Sequence, residues 1–294
     1  MHGWFILDKP LGLGSTQAVS AVKRALREAG LPRHKVGHGG TLDPLASGVL
    51  PVAVGEATKL AGRMLDSDKQ YDFTIAFGIE TDTLDAEGQV VARSDVRPGT
   101  EAIVAILSRF TGPIDQMPPA YSALKVDGAR AYDLARAGEA VVLATRAVTI
   151  RALEMLSATG ETVTLRAHVS KGTYIRSLAR DIAHALGTVG HVSYLRRIKA
   201  GPFTLDQAIS LDKLADAAKA RMLEQIILPL RAGLDDIPAL PLSPGEAGLL
   251  RNGQQVAGTA ADDGQYFATL DDVPVALVEA RSGLIRVVRG FNLD

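Results

Sequence analysis

The chain has 294 residues, of which 47% are hydrophobic and 22% are charged, and these are the values of an ordinary folded protein. It contains no cysteine, which excludes a disulfide framework, a thiolate metal site and a cysteine nucleophile. The N-terminus lacks the features of a signal peptide, and no apolar run approaches the roughly 18 residues of a membrane helix. We therefore expect a soluble, cytoplasmic protein, and nothing in the sequence requires more than a monomer.

The net charge of −1 conceals an uneven distribution. Residues 233–294 carry nine acidic and four basic side chains, whereas residues 163–201 carry seven basic and one acidic. Such a basic segment on a nearly neutral protein is typical of a surface that binds a polyanion. Counter-charges supplied by the fold are the alternative, and the sequence leaves both interpretations open.

The first part of the chain predicts a strand over 4–7 and then a helix, capped by Ser15 or Thr16 and ended by Gly30. Residues 37–48, which include four glycines, are expected to form a loop. After this loop the pattern predicts a buried strand, a short helix and a half-buried strand, at 49–54, 57–65 and 71–77.

The remainder mixes strands and helices without regular alternation, which predicts an α+β fold with a largely antiparallel or mixed sheet. Further strands are predicted at 89–92, 148–155, 163–169 and 192–198. Helices are predicted at 100–110, 129–137, 174–186 and 212–227. The helix at 174–186 combines an apolar stripe with a second face that carries Arg176, Arg180 and His184.

A domain boundary is predicted near residues 229–242, where three prolines and a glycine interrupt the chain. The residues beyond it contain three strand patterns, at 266–270, 275–279 and 285–288. We therefore predict a large catalytic domain over 1–232 and a small β-rich module over 238–294. A module of this size is marginally stable unless it packs on its neighbour.

Most cofactor-binding motifs are absent. The sequence has no nucleotide-binding P-loop, no complete dinucleotide fingerprint and no nucleophile elbow. His34 and His38 have the spacing of a zinc pair, but no third ligand is evident. We expect neither a metal nor a cofactor.

One segment, residues 37–59, places a carboxylate in a constrained loop. Asp43 precedes Pro44, which disfavours helical dihedral angles at Asp43 and so restricts the direction of its side chain. Leu42 and Leu45 flank the carboxylate with apolar groups, which can limit the water around it. Composition alone favours a simpler interpretation, in which Asp43 opens a turn before the next strand.

The sequence of this segment, GHGGTLDPLASGVLPVAVGEATK, resembles the signature loop of the TruB-type tRNA pseudouridine synthases. Other segments resemble the family's motifs in the same order: LDKPLGLGST, DSDKQYDFTIAFGIETDTLDAEG, PPAYSALKVDGARAYDLAR, SKGTYIRSLARDIAHALG and HVSYLRR. The resemblance covers roughly residues 3–200 and is weakest in the C-terminal module. It implies the pseudouridine-synthase fold, with a mixed, largely antiparallel central sheet flanked by helices and a small PUA-like module at the C-terminus.

The resemblance also implies a reaction, the isomerisation of a uridine in RNA to pseudouridine without a cofactor. The glycosidic C–N bond is cut, the uracil turns and a C–C bond forms. The implied substrate is the T-arm loop of tRNA, at the uridine conventionally numbered 55. The implied partner is therefore tRNA, with no membrane and no small-molecule cofactor.

By the same resemblance, Asp43, Tyr71 and Arg176 match the family's catalytic residues. Asp43 acts either as a nucleophile on the sugar or as a base at the ribose C2′, and the sequence leaves both roles open. Arg176 matches the arginine that pairs with this aspartate and keeps it ionised at pH 7. Tyr71 matches the tyrosine that stacks on the target base. Without the family match, Arg176 would be assigned to an exposed basic face and Tyr71 to the core.

Three further residues match family positions that bind the target base. His38 matches a histidine that helps to hold the base out of its stack, where extrusion costs a few kcal/mol. Tyr174 and Leu195 match residues that contact the uracil, although the pattern alone would assign Leu195 to the core.

Lys125 and Arg130 are candidates for phosphate contacts, because they flank a loop in the YSALK motif, and a pair of solvated charges is an equal alternative. Asp85 is a candidate for a second acidic partner of Arg176.

Two other functions compete with this enzyme. One is an RNA-binding folding factor for tRNA that does not require catalysis, which needs phosphate contacts but no carboxylate in a pocket. The other is an enzyme that cleaves free nucleosides, for which the basic segment 163–201 would have no purpose. Polyanion binding weakens steeply as salt rises, whereas nucleoside binding hardly changes.

Overall fold

A computed structural model of the protein describes residues 1–122, 124–126, 129–137 and 143–293. Its α-helices are α1 (Ser15–Glu28), α2 (Ala61–Asp66), α3 (Thr100–Leu107), α4 (Ala131–Arg136), α5 (Ile175–Ala185), α6 (Leu211–Lys219) and α7 (Pro244–Arg251). Its strands in the first half are β1 (Gly3–Lys9), β2 (Val36–His38), β3 (Ala46–Val54), β4 (Lys69–Phe77), β5 (Ile79–Thr81), β6 (Val90–Arg93), β7 (Gly112–Gln116), β8 (Lys125–Val126) and β9 (Ala129–Arg130). The later strands are β10 (Arg146–Ala158), β11 (Thr162–Val169), β12 (Gly190–Ala200), β13 (Phe203–Thr204), β14 (Leu228–Pro229), β15 (Ala239–Pro241), β16 (Val256–Ala257), β17 (Gly264–Leu270), β18 (Val273–Arg281) and β19 (Leu284–Gly290). Short 3₁₀ helices lie at Gly55–Leu60, Ser108–Phe110, Leu205–Gln207, Leu223–Gln225 and Leu230–Leu234.

Within the described residues, ten strands form one mixed sheet in the main order β14-β1-β3-β12-β4-β11-β10-β7, with β2 added to β3 and β13 to β12. In that sheet, β3 and β12 run parallel and the other described pairs are antiparallel. Helices α1, α3, α5 and α6 contact the sheet. The predicted α+β fold with a largely antiparallel central sheet is confirmed. No helix of the described residues is both long enough and apolar enough to cross a membrane.

The core between the helices and the sheet follows the predicted periodicities. On β4, Phe73 and Ile75 are fully buried, and the residues that alternate with them, Asp72, Thr74 and Ala76, are half-buried. On α5, Leu178 and Ile182 are fully buried, so the helix predicted over 174–186 is confirmed. Helix α5 packs against both β4 and its neighbour β12.

The C-terminal strands form a second sheet in the order β15-β17-β18-β19-β16, so the predicted β-rich module is confirmed. This module also shares a core with the large sheet, because Leu277 and Phe291 belong to the same buried cluster as Trp4. The Lys59 ammonium donates a hydrogen bond to the carbonyl of Gly290 at 2.9 Å. The division at 229–242 stays a prediction.

Helix α6 ends earlier than the prediction of 212–227. Arg221 takes a left-handed conformation, with φ +56°, and the Met222 N–H donates to the carbonyl of Ala217 at 2.8 Å. This i to i−5 bond closes the helix end. No glycine or proline stands at this helix end. The sequence therefore lacks the usual signal for a helix terminus, and the predicted helix is too long.

The N-terminus of α1 also differs from the prediction. The capping position is occupied by Gly14, whose N–H donates to the side chain of Gln17 at 2.8 Å. Neither Ser15 nor Thr16 is the cap, because α1 already includes both. The Ser15 hydroxyl is instead directed to the backbone of Leu42.

Gly48 is a position where the fold requires glycine. Its φ is +102°, and an added Cβ would lie 2.2 Å from the carbonyl oxygen of Arg197 on β12. Backbone strain of this kind costs roughly 1–3 kcal/mol. We expect Gly48→Ala to lower the free energy of unfolding by more than this, because the added Cβ also clashes with the Arg197 carbonyl. Chemical denaturation would measure the loss. The matched control is Gly37→Ala, where no described atom lies within 4 Å of the added Cβ. Equal stabilities of the two variants would contradict this prediction.

Candidate active site

Asp43 lies in a loop, residues 39–45, that links β2 to β3. This loop is shorter than the predicted 37–48, because β2 continues through His38 and β3 begins at Ala46. Ala46 already pairs with β12, so both ends of the loop are fixed in the central sheet.

Hydrogen bonds hold the backbone of this loop in place. The Arg197 guanidinium donates to the carbonyls of Gly40 and Thr41, at 3.0 and 3.2 Å. The Ser15 hydroxyl accepts from the Leu42 N–H at 2.8 Å and donates to the Leu42 carbonyl at 2.9 Å. Because Ser15 and Leu42 are 27 residues apart, α1 and the sheet together determine where the following aspartate stands.

A buried lysine lies beneath the same loop. Lys9 is fully buried, and its ammonium donates to the carbonyls of Leu13 and Pro44, at 2.6 and 3.4 Å. Burial lowers the pKa of Lys9 to about 8, and the charge of Asp43 opposes that shift. Lys9 is therefore a cation at neutral pH, placed close to the aspartate.

Arg176, in the first turn of α5, joins two carboxylates. Its Nη2 lies 2.9 Å from Oδ2 of Asp43, and its Nη1 lies 3.4 Å from Oδ2 of Asp85. The same nitrogens donate to the carbonyls of Thr83 at 2.8 Å and Tyr121 at 2.9 Å. The side chains of Arg176 and Asp85 are 7% and 8% exposed, whereas that of Asp43 is 41% exposed. The Arg176–Asp43 pair expected from the resemblance is present, and the carboxylate of Asp43 is its solvent-exposed member.

The turn that carries Asp85 is itself constrained. The Thr83 hydroxyl donates to Oδ1 of Asp85 at 2.5 Å, and the Glu87 N–H donates to the same oxygen at 3.1 Å. Between them Leu84 has a φ of +63°, a conformation that costs an L-residue about 1–2 kcal/mol. The Leu84 carbonyl accepts from Val192 N–H on β12 at 3.0 Å, which joins this turn to the central sheet.

The fold neutralises most of the basic segment 163–201. Besides Arg176, four of its cations pair with carboxylates: Arg166 with Asp72, Lys171 with Asp66, Arg180 with Asp181, and Arg196 with Asp8. Arg176 does not share an exposed face with Arg180 and His184, because it is only 6% exposed. His184 faces Glu80. Counter-charges supplied by the fold therefore explain much of this segment.

Tyr174 precedes α5 and is held by a residue that sequence reasoning missed. Gln116 is fully buried, and its amide exchanges two hydrogen bonds with the backbone of Tyr174, at 2.8 and 3.1 Å. The guanidinium carbon of Arg146 lies 4.8 Å from the centre of the Tyr174 ring. Nothing in the local sequence distinguishes Gln116 from a surface amide, because its partner is 58 residues away.

A narrow cleft adjoins the ion pair, and its lining residues are Asp43, Leu45, Asp85, Arg176, Val192, Ser193, Tyr194 and Leu195. Leu195 is 9% exposed and also belongs to the main core, so it is at once a core residue and a wall of the cleft. The structure therefore brings four of the predicted site residues to one place: Asp43, Asp85, Arg176 and Leu195.

Tyr71 lies on the other side of the loop. It lines a neighbouring cavity of about 160 Å³ together with Gly40, Thr41 and Thr173. Tyr71 is half-buried and also packs against the main core.

His38 stands at the end of β2, where its Nδ1 accepts from the Gly40 N–H at 3.4 Å. Burial lowers the pKa of His38, and the charge of Arg197 acts in the same direction. Both effects favour the uncharged ring, which suits contact with the face of a base.

The remaining predicted residues lie in or near the least described part of the chain. Lys125 and Arg130 are paired through the backbone of β8 and β9, and their side chains lie outside the described structure. Over the described residues, no group of three His, Asp or Glu side chains could hold a metal ion.

Two family models match successive parts of the chain. The model of the N-terminal domain of the TruB family pseudouridylate synthases matches residues 24–175, and that of the tRNA pseudouridylate synthase B C-terminal domain matches residues 176–235. The chain belongs to the TruB family. As a TruB-family protein it is a pseudouridine synthase, an isomerase.

Curated proteins named tRNA pseudouridine synthase B are similar to this TruB-family chain over its whole length. The protein of Novosphingobium aromaticivorans is 64% identical and that of Zymomonas mobilis is 61% identical. The matches cover 100% and 99% of this chain, and 98% and 96% of the two relatives.

Solved structures agree with the family. A chain in an H/ACA ribonucleoprotein bound to a substrate RNA containing 2′-deoxyuridine is 25% identical, with a TM-score of 0.76. A chain in a Cbf5-Nop10-Gar1 complex is 28% identical, also with a TM-score of 0.76. Both alignments cover 99% of this chain and 85% of the other. The predicted pseudouridine-synthase fold is confirmed.

Proposed function

We propose that this TruB-family enzyme converts the uridine of the T-arm loop of tRNA, conventionally position 55, to pseudouridine, with Asp43 as the catalytic carboxylate. The names of the full-length relatives support tRNA as the substrate class. The observation that carries the proposal is the geometry of Asp43. One of its oxygens faces a buried arginine, while 41% of the side chain remains exposed.

The reaction requires a carboxylate but no co-reactant. The bond between N1 and C1′ breaks, a bond between C5 and C1′ forms, the C5 proton leaves and N1 regains a proton, so the product is an isomer. Asp43 acts either on C1′ as a nucleophile or on the C2′ proton as a base. In either role Asp43 is held in place by Arg176, whose Nη2 lies 2.9 Å from Oδ2. Within the described structure no hydrogen bond occupies Oδ1, which is the oxygen left to face the substrate.

Access to C1′ requires the target base to leave its stack, at a cost of a few kcal/mol. Three aromatic rings belong to residues near the catalytic loop in the fold: His38 at the end of β2, Tyr71 on β4, and Tyr174 just before α5. Stacking on such rings recovers part of the cost, because base–aromatic contacts contribute about 1–3 kcal/mol per base. Leu195 forms an apolar wall of the cleft beside the carboxylate. We propose that these rings and this wall receive the extruded base.

Replacement of Tyr71 by leucine tests the stacking role. We expect kcat/KM for a T-arm substrate to fall about tenfold to a hundredfold, which corresponds to the loss of one base–aromatic contact. The matched control is Tyr266→Leu in the C-terminal module, which is expected to keep the wild-type value. An unchanged kcat/KM in Tyr71→Leu would assign Tyr71 to the core alone.

The proposal is tested directly by incubating the purified protein with an unmodified T-arm stem-loop transcript, without added metal or cofactor. Pseudouridine is then mapped at single-nucleotide resolution. One modified uridine in the loop is the expected result. If no uridine is modified although the RNA is bound in a salt-sensitive way, the protein acts on this RNA as a folding factor, and the proposed substrate is wrong.

A further inference from the structure

A groove of about 820 Å³ lies away from the catalytic cleft, between the outer face of α1 and the segment 31–36 that leads into β2. Four of its lining residues are basic: Lys23, Arg27, Arg33 and Lys35. Among the described residues no acidic side chain lines it. We call this feature the α1 groove.

The cations of the α1 groove differ from those of the segment 163–201. In that segment the fold provides carboxylates for most of the basic side chains. By contrast, no ion pair joins Lys23, Arg27, Arg33 or Lys35 to any carboxylate in the described part of the chain. Lys23 and Arg27 also stand one helical turn apart, where like charges destabilise a helix. The fold therefore maintains four unpaired positive charges around one concave surface.

The groove is not charged by its histidine. His34 lines it as well, but burial lowers the pKa of His34, and the positive charges of the N-terminus and of His2 act in the same direction. These effects all favour the neutral ring. The apolar part of the lining comes from Leu26, Pro32 and Val36. Four flexible cations over a partly apolar floor match a chain of phosphates linked by sugars.

The α1 groove lies upstream of the catalytic loop on the same stretch of chain. β2 runs from the wall of the groove to His38, and Asp43 follows five residues later. The eight residue-to-residue steps from Lys35 to Asp43 span at most about 29 Å, even if fully extended. An RNA whose loop is held at Asp43 can therefore place neighbouring phosphates in this groove.

We propose that the α1 groove binds the phosphodiester backbone of the substrate RNA outside the modified loop. The inference rests on the proposed function, because it assigns the groove to the same RNA. Guanidinium groups bind phosphates with two parallel hydrogen bonds, and lysines attract them as point charges. Such contacts position a nucleic acid without reading its sequence.

The test compares two double variants with equal charge changes. Arg27→Gln with Arg33→Gln removes two cations of the groove. Arg24→Gln with Lys213→Gln removes two exposed cations that lie outside the groove, on α1 and on α6. Thermal unfolding of both would establish that they fold like the wild type.

The measurement is the affinity for a full-length unmodified tRNA transcript at several salt concentrations. The groove variant is expected to bind at least tenfold more weakly at low salt. The slope of log K against log salt should become shallower by about 1.5, because each lost phosphate contact removes about 0.7–0.9. Turnover at saturating RNA should stay at the wild-type rate, so that KM rises and kcat does not. The control variant should retain both the affinity and the slope.

Two results would overturn the inference: wild-type affinity and slope in the groove variant, or equal losses in the groove and control variants. The proposed function fails separately, if the wild-type protein modifies no uridine in the T-arm loop. In that event a selective loss of tRNA affinity in the groove variant would still support the α1 groove as an RNA-binding surface.

Discussion

Asp43→Asn is expected to abolish pseudouridine formation while leaving the affinity for tRNA within a few-fold of the wild type. Asparagine has nearly the same shape as aspartate, and the backbone bonds from Ser15 and Arg197 that position the loop do not involve the side chain at position 43. A neutral amide, however, is neither a nucleophile for C1′ nor a base for C2′. Loss of a general base alone costs about 10²–10⁴ in rate, and loss of a nucleophile costs at least as much.

The measurement is a single-turnover assay on a T-arm transcript, paired with equilibrium binding of the same RNA. Asp66→Asn provides the control, because Asp66 is an exposed carboxylate that pairs with Lys171 outside the cleft. That variant should modify RNA at the wild-type rate. Substantial pseudouridine from purified Asp43→Asn would remove Asp43 from both catalytic roles.

Arg176→Lys is expected to lower both the rate and the stability, although it preserves the charge. The guanidinium contacts two carboxylates and the carbonyls of Thr83 and Tyr121 from two nitrogens. A lysine ammonium is a single point and cannot reproduce this planar fork. Each buried acceptor left without a donor costs about 1–3 kcal/mol. We therefore expect the free energy of unfolding to fall by at least that amount, and the rate to fall at least about a hundredfold as Asp43 loses its fixed partner.

Denaturant unfolding and single-turnover kinetics would measure the two effects separately. Arg180→Lys is a suitable control, because Arg180 lies one turn later on α5 and its carboxylate partner is the adjacent Asp181. It is expected to change neither quantity appreciably. Wild-type rates in Arg176→Lys would show that the buried ion pair is structural and not part of the catalytic apparatus.

The predictable part of the site is the part encoded by local motifs. Asp43 and Arg176 each stand in a segment that resembles a family motif, and the 3.6-residue period already indicated α5, whose first turn carries Arg176. What holds these residues was not predictable. The bonds from Ser15 to Leu42 and from Gln116 to Tyr174 join residues 27 and 58 positions apart. No periodicity records such long-range partners.

Charge shows the same contrast. Residues 163–201 are basic when charges are counted along the sequence, but such a count does not show that Arg166 faces Asp72 on the neighbouring strand. The cations of the α1 groove lie close together in the sequence, within residues 23–35, but a count of charges does not show that α1 and the segment after it form the walls of one groove. Short elements such as β2 and α7 were also missed, because three to eight residues give too little pattern to distinguish them from loops.

The position of β1 in the sheet has a consequence for synthesis on the ribosome. One edge of β1 pairs with β3, but the other pairs with β14, and the indole of Trp4 donates to the carbonyl of Leu230 at 3.2 Å. At about 5–20 residues per second, the chain needs roughly 11–45 seconds to supply those later partners. Until then a strand whose residues Trp4 to Leu7 are buried in the finished enzyme keeps an open edge, which is the kind of surface that aggregates. The first strand to be synthesised is therefore among the last to gain all its neighbours in the sheet. During that interval the nascent chain depends on chaperones or on other contacts to protect the unpaired edge.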